Sequence, residues 1–315
     1  EGFGNISLLK KMSRGDGYSY SYISRQALGY NIREQLIERL KWNETKVATD
    51  GKVVQYDKKS SIKDCPEIDL FGYMKTGDNS INKNSNIRAA TVRLSNAIAL
   101  ENYNSDLDFL TNMALAKRDN LDNAIAQSEI HKSYYAYTIT IDLDRVGIDE
   151  IITKYVEGKE PEKEIIEIDK SERAKRVNDL LKILKTLYRD IRGRRENLSP
   201  IFIIGGVYNI KNPFFENRLR VSKNNLDIDI ILNTIDIDKE VKNNTVVGYI
   251  GNIFNNSKEI EEGLKTKGLK TKSISEVFDY LSEEVNKYYG KKVVSALSEY
   301  FDVKLVSLKA GEETK

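Results

Sequence analysis

The sequence is poor in the residues on which many catalytic and metal-binding sites depend. Its 315 residues include a single cysteine, Cys65, and a single histidine, His131. One cysteine allows no disulfide within the chain, which is typical of the reducing cytoplasm. A zinc site of Cys and His ligands cannot be built from one of each, which leaves only a carboxylate-rich metal site open. A Ser-His-Asp triad or a Cys-His pair depends on His131 alone, so we expect a structural histidine, no metal and no other cofactor.

The sequence also lacks a long apolar run. Its longest nearly uninterrupted apolar stretch, Ile201 to Ile210, is far shorter than the roughly 20 residues that a membrane-spanning helix needs. No charged segment followed by an apolar segment opens the chain as a signal peptide. A composition of 40% hydrophobic and 31% charged residues is ordinary for a globular protein. We therefore expect a cytoplasmic protein with no membrane partner, folded as one domain over residues 1–315.

The formal net charge of +2 conceals a segregation of charge along the chain. Residues 173–220 contain twelve Lys or Arg and four Asp or Glu, whereas residues 142–172 contain five and eleven. Charge blocks are commonly solvated faces of a protein. The basic block, however, extends beyond a single amphipathic helix, and such a footprint suits a nucleic-acid phosphate backbone.

Hydrophobic periodicity predicts a chain of mixed helices and strands. Apolar residues every four positions from Leu28 to Leu40 predict a helix over 24–41 with Ser24 as its N-cap. The pair Asp50-Gly51 predicts a β-hairpin over 45–57, and the polar run 76–86 predicts a mobile loop. Further helices are predicted over 173–192 and 273–289, and strands over 87–100, 135–143, 201–208, 226–235, 245–250 and 301–308.

A glycine-rich, basic and aromatic loop precedes the first predicted helix. The free N–H groups of that helix's first turn, with Arg14 and Arg25 beside them, favour a phosphate group. In the alternative, Arg25 pairs with Asp16 or is solvated. The alternating Tyr18, Tyr20 and Tyr22 either stack on unpaired bases or form one face of an ordinary strand.

Five segments resemble, in this order, the backbone subunit of the type I-B CRISPR Cascade complex, in the DevR-type branch of the RAMP superfamily. They lie within the first 220 residues and are SRGDG…YISRQAL (13–28), DLFGYM (69–74), RAATVRLS (88–95), YAY…IDLDRVG (135–147) and GGVYN (205–209). Members of this family begin with a strand before a glycine-rich turn, whereas this chain opens inside that turn. We therefore expect the first strand of the sheet to lie upstream of residue 1.

The resemblance implies an α+β fold and a non-catalytic function. The fold is a ferredoxin-like palm of the RNA-recognition-motif type, with a finger-like and a thumb-like insertion near residues 45–62 and 74–86. Either the loop 74–86 or the hairpin 45–57 is the thumb. Copies of the subunit stack along a guide crRNA, hold its phosphates and leave its bases free to pair with target DNA. The implied partners are the guide, the target DNA, other copies of the chain and other Cascade subunits.

The same resemblance implies a set of RNA-binding residues. The helix-start positions Ser24, Arg25, Gln26 and Arg33 are the first candidates for guide phosphates, followed by Lys10, Lys11 and Arg14 in the preceding loop. Arg88 and Arg93 are weaker candidates because a strand arginine more often makes an ion pair. Gly205 and Gly206 weaken a strand unless another backbone comes close, either the guide or a neighbouring strand.

Two other functions remain open at this stage. A RAMP-type endoribonuclease that cleaves target or precursor RNA would use Asp16, which otherwise forms a turn with its own backbone. The pairs Asp142 with Asp144 and Asp227 with Asp229, predicted on strand faces, would either chelate a metal or make salt bridges. A structural oligomer that assembles without RNA is the remaining alternative.

Overall fold

The computed structural model describes residues 2–3, 5–50, 53–76, 86–123, 125–156, 158–191, 193–269, 271–290, 300–303 and 307–309. These residues form eight helices: α1 (Arg25–Leu40), α2 (Pro66–Phe71), α3 (Met113–Ala116), α4 (Lys170–Lys185), α5 (Ile228–Ile235), α6 (Lys239–Asn244), α7 (Ser257–Thr266) and α8 (Ile274–Gly290). Their strands are β1 (Gly2–Phe3), β2 (Ile6–Ser7), β3 (Lys11–Ser13), β4 (Ser19–Ile23), β5 (Val47–Asp50), β6 (Val53–Tyr56), β7 (Tyr73–Lys75), β8 (Asn86–Arg88), β9 (Val92–Leu94), β10 (Ala97–Ala99), β11 (Asp106–Thr111), β12 (Ile125–Ile130), β13 (Tyr135–Ala136), β14 (Ile139–Ile141), β15 (Ile148–Lys154), β16 (Glu162–Glu167), β17 (Tyr188–Ile191), β18 (Arg194–Asn197), β19 (Phe202–Tyr208), β20 (Val221–Ser222), β21 (Asn225–Leu226), β22 (Thr245–Tyr249), β23 (Thr271–Lys272), β24 (Tyr300–Val303) and β25 (Ser307–Lys309).

The strands form three larger sheets and a set of two-stranded ribbons. The largest sheet has the order β23-β22-β19-β24-β25-β14-β9, with an additional pairing of β24 and β14. The other two have the orders β13-β10-β4-β3 and β1-β2-β12-β11, and the ribbons are β5-β6, β7-β8, β15-β16, β17-β18 and β20-β21. The predicted mixture of helices and sheets is confirmed, whereas the RNA-recognition-type palm stays a prediction.

Helix α1 forms where the apolar spacing predicts it. The Ser24 hydroxyl accepts a hydrogen bond from the backbone N–H of Ala27, and Leu28, Ile32 and Leu36 are buried at successive turns. The helix ends at Lys41, whose backbone is left-handed (φ 59°) and whose N–H donates to the Leu36 carbonyl. The apolar face of α1 packs in the core, and its N-cap Ser24 directly follows β4. The polar first turn of the helix therefore lies beside the end of β4.

Strand β19 separates the two main parts of the core. Its apolar side chains alternate between the faces of the sheet, so Ile203 packs with the cluster that includes α1, α4 and α8, while Phe202 and Ile204 pack with α5 and α7. This confirms the prediction that the strand is buried on both faces. Gly206 belongs to the same strand, and a Cβ there would lie 1.8 Å from the Asn244 carbonyl oxygen. The backbone that approaches Gly206 is therefore a neighbouring chain segment, which favours the second of the two predicted alternatives.

Two predicted elements have a different secondary structure from the one expected. Residues 226–235 alternate apolar and acidic residues as a strand does, but Ile228–Ile235 is helix α5. The Asp227 carboxylate accepts from the Ile230 N–H and caps this helix, which buries Ile231 and Ile235 against the core. The predicted helix over 173–192 ends at Lys185, because residues 188–191 pair with 194–197 as a β-ribbon. Ion pairs from Arg189 to Glu196 and from Arg195 to Asp190 cross this ribbon.

Two predicted long strands are each divided among different sheets. Residues 87–100 contribute β8 to a ribbon, β9 to the largest sheet and β10 to a four-stranded sheet. Residues 135–143 likewise divide into β13 and β14. At the division, the Ser95 N–H donates to the Thr138 carbonyl and the Thr138 N–H donates to the Ser95 hydroxyl. Because these bonds satisfy the backbone where both strands break, the chain crosses from one sheet to the next without losing pairing.

The predicted insertions are only partly described. The hairpin over 45–57 is confirmed as β5 and β6, which pair from Val47 with Tyr56 to Asp50 with Val53. The Gln55 side chain bonds to the backbone N–H and carbonyl of Thr76, which joins this hairpin to the segment after β7. Residues 77–85 of the predicted loop lie outside the described residues. The predicted final strand over 301–308 is replaced by two strands, β24 and β25, which lie between β19 and β14 in the largest sheet.

A buried ionic network joins four distant segments at the end of α2. The Asp69 carboxylate is fully buried and makes ion pairs with Arg88 of β8 and with Arg176 of α4. It also accepts two hydrogen bonds from the Gly147 N–H, at 2.9 and 3.0 Å. Arg88 further pairs with Asp149 at 3.4 Å, so two carboxylates balance two guanidinium groups in the interior.

No residue with a Cβ fits at position 147 of this network. The φ of Gly147, 75°, lies in the left-handed region, and a Cβ would lie 2.5 Å from side-chain carbons of Arg173 and Ile168. Only glycine therefore brings its N–H to the Asp69 carboxylate. The Tyr73 hydroxyl donates to Asp149 beside it, and burial, followed by that carboxylate's charge, raises the pKa of Tyr73.

We expect the substitution Asp69→Asn to destabilise the fold by about 3–5 kcal/mol, because it leaves a buried guanidinium without its charge partner. The loss is measured as the free energy of unfolding in urea, followed by far-UV circular dichroism. Asp190→Asn is the matched control, since Asp190 pairs with Arg195 while both side chains are more than half exposed. It should leave the urea midpoint almost unchanged. Equal effects of the two substitutions would contradict a special role for the buried carboxylate.

Candidate nucleic-acid interface

An open cleft of about 700 Å³ lies at the amino end of α1. We call it the first cleft. It is lined by four segments that are far apart in sequence: the loop and helix start at 10–26, residues 94–100, residues 136–138 and residues 215–219. The strands β4 and β10 pair directly, so the helix start and the second segment are held together by backbone hydrogen bonds.

The first cleft gathers five of the predicted RNA-binding residues. Lys10, Arg14, Ser24, Arg25 and Gln26 all line it. Apart from Ser24, which is half-buried, these side chains are exposed. Arg25 makes no ion pair with any described residue, and the first turn of α1 carries no acidic side chain. The predicted group of helix-start and loop residues is thus brought to one surface whose cations face solvent.

The first-turn N–H groups are less available to a phosphate than the sequence predicts. The Arg25 N–H donates to the Asn96 side-chain oxygen at 2.9 Å, and the Ala27 N–H donates to the Ser24 hydroxyl. Protein acceptors therefore occupy two positions of the expected phosphate seat. The side chains of Arg14 and Arg25 are therefore better placed than these backbone groups to contact an anion.

Asp16 organises the loop before β4. One carboxylate oxygen accepts from the Tyr18 N–H at 3.0 Å and the other accepts from the Tyr20 hydroxyl at 2.6 Å. The bond from Tyr20, followed by the bond from the Tyr18 N–H, lowers the pKa of Asp16, and the same contact raises the pKa of Tyr20. The turn role of Asp16 is confirmed, and the alternative pairing with Arg25 is wrong.

The three alternating tyrosines have different exposures. Tyr18 is 59% exposed, Tyr20 is 9% exposed and Tyr22 is half-buried in the first cleft. The Arg14 guanidinium lies over the Tyr20 ring at 4.6 Å, which holds this arginine at the cleft. Tyr20 is therefore a support for Arg14, and Tyr18 presents the most accessible ring.

Two predicted cations lie outside the first cleft and are paired. Lys11 makes an ion pair with Glu129 of β12 at 2.7 Å and lies 4.6 Å from the centre of the Tyr103 ring. Arg33 is 3.5 Å from Glu67 and lies over the Phe71 ring. These contacts neutralise both charges, so Lys11 and Arg33 are weaker RNA-binding candidates than the residues of the first cleft.

The strand arginines follow the ion-pair alternative. Arg88 is 5% exposed, and its guanidinium makes ion pairs with the buried Asp69 and Asp149. We therefore withdraw it as an RNA contact. Arg93 donates to Asp142 at 2.8 Å while its own side chain stays 46% exposed. Gly205 and Gly206 are buried inside the largest sheet and are also withdrawn.

The basic block from residue 173 to 220 is partly neutralised within the fold. Arg173 and Arg176 are buried and pair with Glu167 and Glu172 of the acidic block. Lys211 pairs with Asp144. These three cations are therefore occupied by ion pairs, whereas Arg218 and Arg220 are exposed, so a phosphate footprint over this block stays a prediction.

The remaining predicted chemical groups have structural roles. His131 lies 2.7 Å from the Ser21 hydroxyl through Nδ1, and its ring packs edge-on against Tyr103. Asp142 and Asp144 make ion pairs, and Asp227 caps α5, so neither predicted chelating pair shares a strand face. Within the described part of the chain, no three His, Cys, Asp or Glu side chains are placed to hold a metal ion. No helix of that part is both long and apolar enough to cross a membrane.

The sequence reasoning missed an apolar hairpin formed by β11 and β12. Leu107, Phe109 and Ile125 lie on one face of the hairpin and are 45%, 63% and 58% exposed. Leu110 lies on the other face and is 70% exposed. The alternation of Leu107 and Phe109 with acidic residues was a usable signal for a strand. Its apolar face is uncovered, which marks it as an interaction surface.

Comparisons with known proteins relate this chain to the CRISPR system. Residues 1–224 match the family model described as "CRISPR-associated negative auto-regulator DevR/Csa2". The fold is similar to that of a chain in a solved structure titled "CRISPR RNA-guided surveillance complex, pre-nicking". The TM-score is 0.52 with 12% sequence identity, over 88% of this chain and 94% of that chain. No curated protein matches the chain.

Proposed function

Because this chain belongs to the DevR/Csa2 family of CRISPR-associated proteins, we propose that it is a guide-RNA-binding subunit of a CRISPR surveillance complex. In the finer form of this proposal it is the backbone subunit of a cytoplasmic Cascade of type I-B. Copies of the chain bind the phosphates of the crRNA and leave its bases free to pair with target DNA. Other Cascade subunits complete the particle.

The observation that carries the proposal is the charge and shape of the first cleft. Arg14 and Arg25 are exposed cations on one wall, and neither pairs with a carboxylate among the described residues. The cleft is open and about 700 Å³ in volume, so it admits an extended strand rather than one enclosed small molecule. Phosphate contacts of this kind position a nucleic acid without reading its sequence.

The double substitution Arg14→Ala with Arg25→Ala should weaken binding of all single-stranded RNA sequences alike. Each lost phosphate contact should also lower the slope of log affinity against log salt by about 0.7. Fluorescence anisotropy with labelled RNAs of different sequence, at several salt concentrations, measures both effects. Lys258→Ala with Lys265→Ala is the control, since both lysines are exposed on α7 and neither lines the cleft. An effect confined to one RNA sequence would contradict the assignment to phosphates.

We also propose that the subunit is not a nuclease. Asp16 is the carboxylate in the loop that precedes the helix start, and its two oxygens accept hydrogen bonds from Tyr18 and Tyr20. A carboxylate occupied in this way is poorly placed to bind Mg²⁺ or to activate water. The turn role is thus a sufficient account of this residue.

Incubating the protein and guide with end-labelled complementary RNA and Mg²⁺ tests the absence of nuclease activity. We expect the same intact RNA with the wild-type protein and with Asp16→Ala. Gel electrophoresis separates cleaved from intact RNA. Cleavage by the wild-type protein that Asp16→Ala abolishes would replace this proposal with the RAMP-type endoribonuclease.

The exposed hairpin β11–β12 supports assembly of several copies along the guide. Apolar side chains on both faces of the hairpin are exposed. We propose that a second copy of the chain covers them. A contact between two different surfaces repeats from copy to copy, since each added chain presents the same free hairpin. Burial of this surface would stabilise the assembly by about 25 cal/mol for each Å² of apolar area.

Phe109→Asp should reduce the number of copies that assemble on a long RNA, because it places a charge in the proposed contact. The affinity of one copy for a short RNA should not change. Sedimentation velocity of protein–RNA mixtures measures the size of the assembly. Ile237→Asp, at another apolar residue that is 60% exposed, is the matched control. If Phe109→Asp leaves the particle size unchanged, the hairpin does not form the contact between subunits.

A further inference from the structure

A second open cleft, of about 620 Å³, follows the first cleft along strand β4. Tyr22 lines the first cleft, whereas Tyr20 and Tyr18 line the second. Alternate residues of a strand share a face, and two residues advance the chain by about 6.8 Å. The two clefts are therefore neighbours on one face of β4.

The opposite wall passes from one cleft to the other in the same order. Residues 215–219 line the first cleft, and residues 221–223 of the same segment line the second. Leu100 lines both clefts. Arg14 joins them as well, because it lines the first cleft while its guanidinium lies 4.6 Å from the centre of the Tyr20 ring, which lines the second. The shared walls make the two clefts consecutive parts of one groove.

The second cleft has the groups that bind an unpaired nucleotide. Tyr18 offers a ring that is 59% exposed, and aromatic rings stack on any base. Lys132 and Lys223 are exposed and make no ion pair with any described residue. Both lysines are thus available to neutralise phosphates.

The same cleft also contains two carboxylates, Glu101 and Asp106. They repel phosphates, whereas Lys132 and Lys223 attract them. Carboxylate oxygens accept hydrogen bonds from the amino groups of bases. The second cleft therefore offers lysines for phosphates and carboxylates for the amino groups of bases.

We propose that RNA held in the first cleft continues into the second, where Tyr18 stacks on an unpaired base and Lys132 and Lys223 contact phosphates. This inference rests on the proposed function, because it requires that the first cleft binds RNA. It adds a second site to each subunit and assigns a role to a tyrosine that phosphate binding alone leaves unexplained. A stacked base is also fixed in orientation, so each copy holds the guide in a defined register.

The test compares Tyr18→Ala with Tyr18→Phe on RNAs of about 4 and about 16 nucleotides, which bracket the usual site size of one single-strand-binding domain. Loss of one stacked base should weaken binding of the long RNA by about 5- to 150-fold. Binding of the short RNA should not change, because it fills only the first cleft. Tyr18→Phe retains the ring and should bind both RNAs as the wild type does. Tyr30→Ala, at another tyrosine that is 55% exposed, is the matched control.

A second measurement tests the lysines. Lys132→Ala with Lys223→Ala should lower the salt slope for the long RNA by about 1.4, which corresponds to two phosphate contacts on a single strand. The slope for the short RNA should stay the same. Lys258→Ala is the control on α7.

The outcomes separate this inference from the proposed function. The proposed second site is wrong if the Tyr18→Ala variant binds the long RNA with the same affinity as the Tyr30→Ala variant. It is also wrong if Tyr18→Ala weakens binding of the long and the short RNA equally. RNA binding in the first cleft stands in both cases. If the double substitution of Arg14 and Arg25 leaves all RNA binding unchanged, the proposed function itself fails. If Lys132→Ala with Lys223→Ala leaves both the affinity for the long RNA and its salt slope unchanged, the proposed second site is also wrong.

Discussion

The structure depends on the burial of one carboxylate, Asp69, between two arginines. Its contacts join α2 to β8 through Arg88, to α4 through Arg176 and to the loop before β15 through the Gly147 N–H. Removing these charges from water is costly, and only a complete set of partners offsets that cost. The network is therefore complete only when all four segments are in place, which defines the relative positions of the helices and the ribbons around them.

This ionic core explains how a nearly neutral chain presents a cationic surface. Three ion pairs join the acidic and basic blocks that lie next to each other in the sequence: Arg173 with Glu167, Arg176 with Glu172 and Lys211 with Asp144. The charges in these ion pairs stabilise the fold and are not available to a ligand. The unpaired cations Arg14 and Arg25 come instead from the start of the chain, where Asp16 is occupied by Tyr18 and Tyr20. The first cleft thus carries these two arginines together with one carboxylate, Glu216.

The candidate RNA surface is built on rigid elements rather than on loops alone. The capped start of α1 and the paired strands β4 and β10 support the first cleft, and β4 extends along both clefts. A groove with one continuous strand as its wall suits a ligand that is itself a regular, extended chain. In contrast, the hairpin β11–β12 projects apolar side chains into solvent, which fits a contact between proteins.

The sequence by itself determined the features that depend on local physics. Helix α1 and its Ser24 cap, the hairpin of β5 and β6 and the apolar strand β19 were all predicted, because periodicity, capping and turn residues act over a few positions. The grouping of Arg14, Ser24 and Arg25 was predicted as well, since they lie within one loop and helix start.

Tertiary structure alone decided which side chains remain available. Arg25 and Arg88 are both arginines in the matched segments, yet one faces the first cleft and the other is buried against Asp69, 19 positions away along the chain. Residues 228–235 became a helix because the Asp227 cap and burial of its isoleucines outweighed an alternating pattern typical of a strand. The second cleft likewise arises only where β4 meets residues 221–223. Each of these outcomes depends on contacts between segments that are distant in sequence, and no local pattern specifies such contacts.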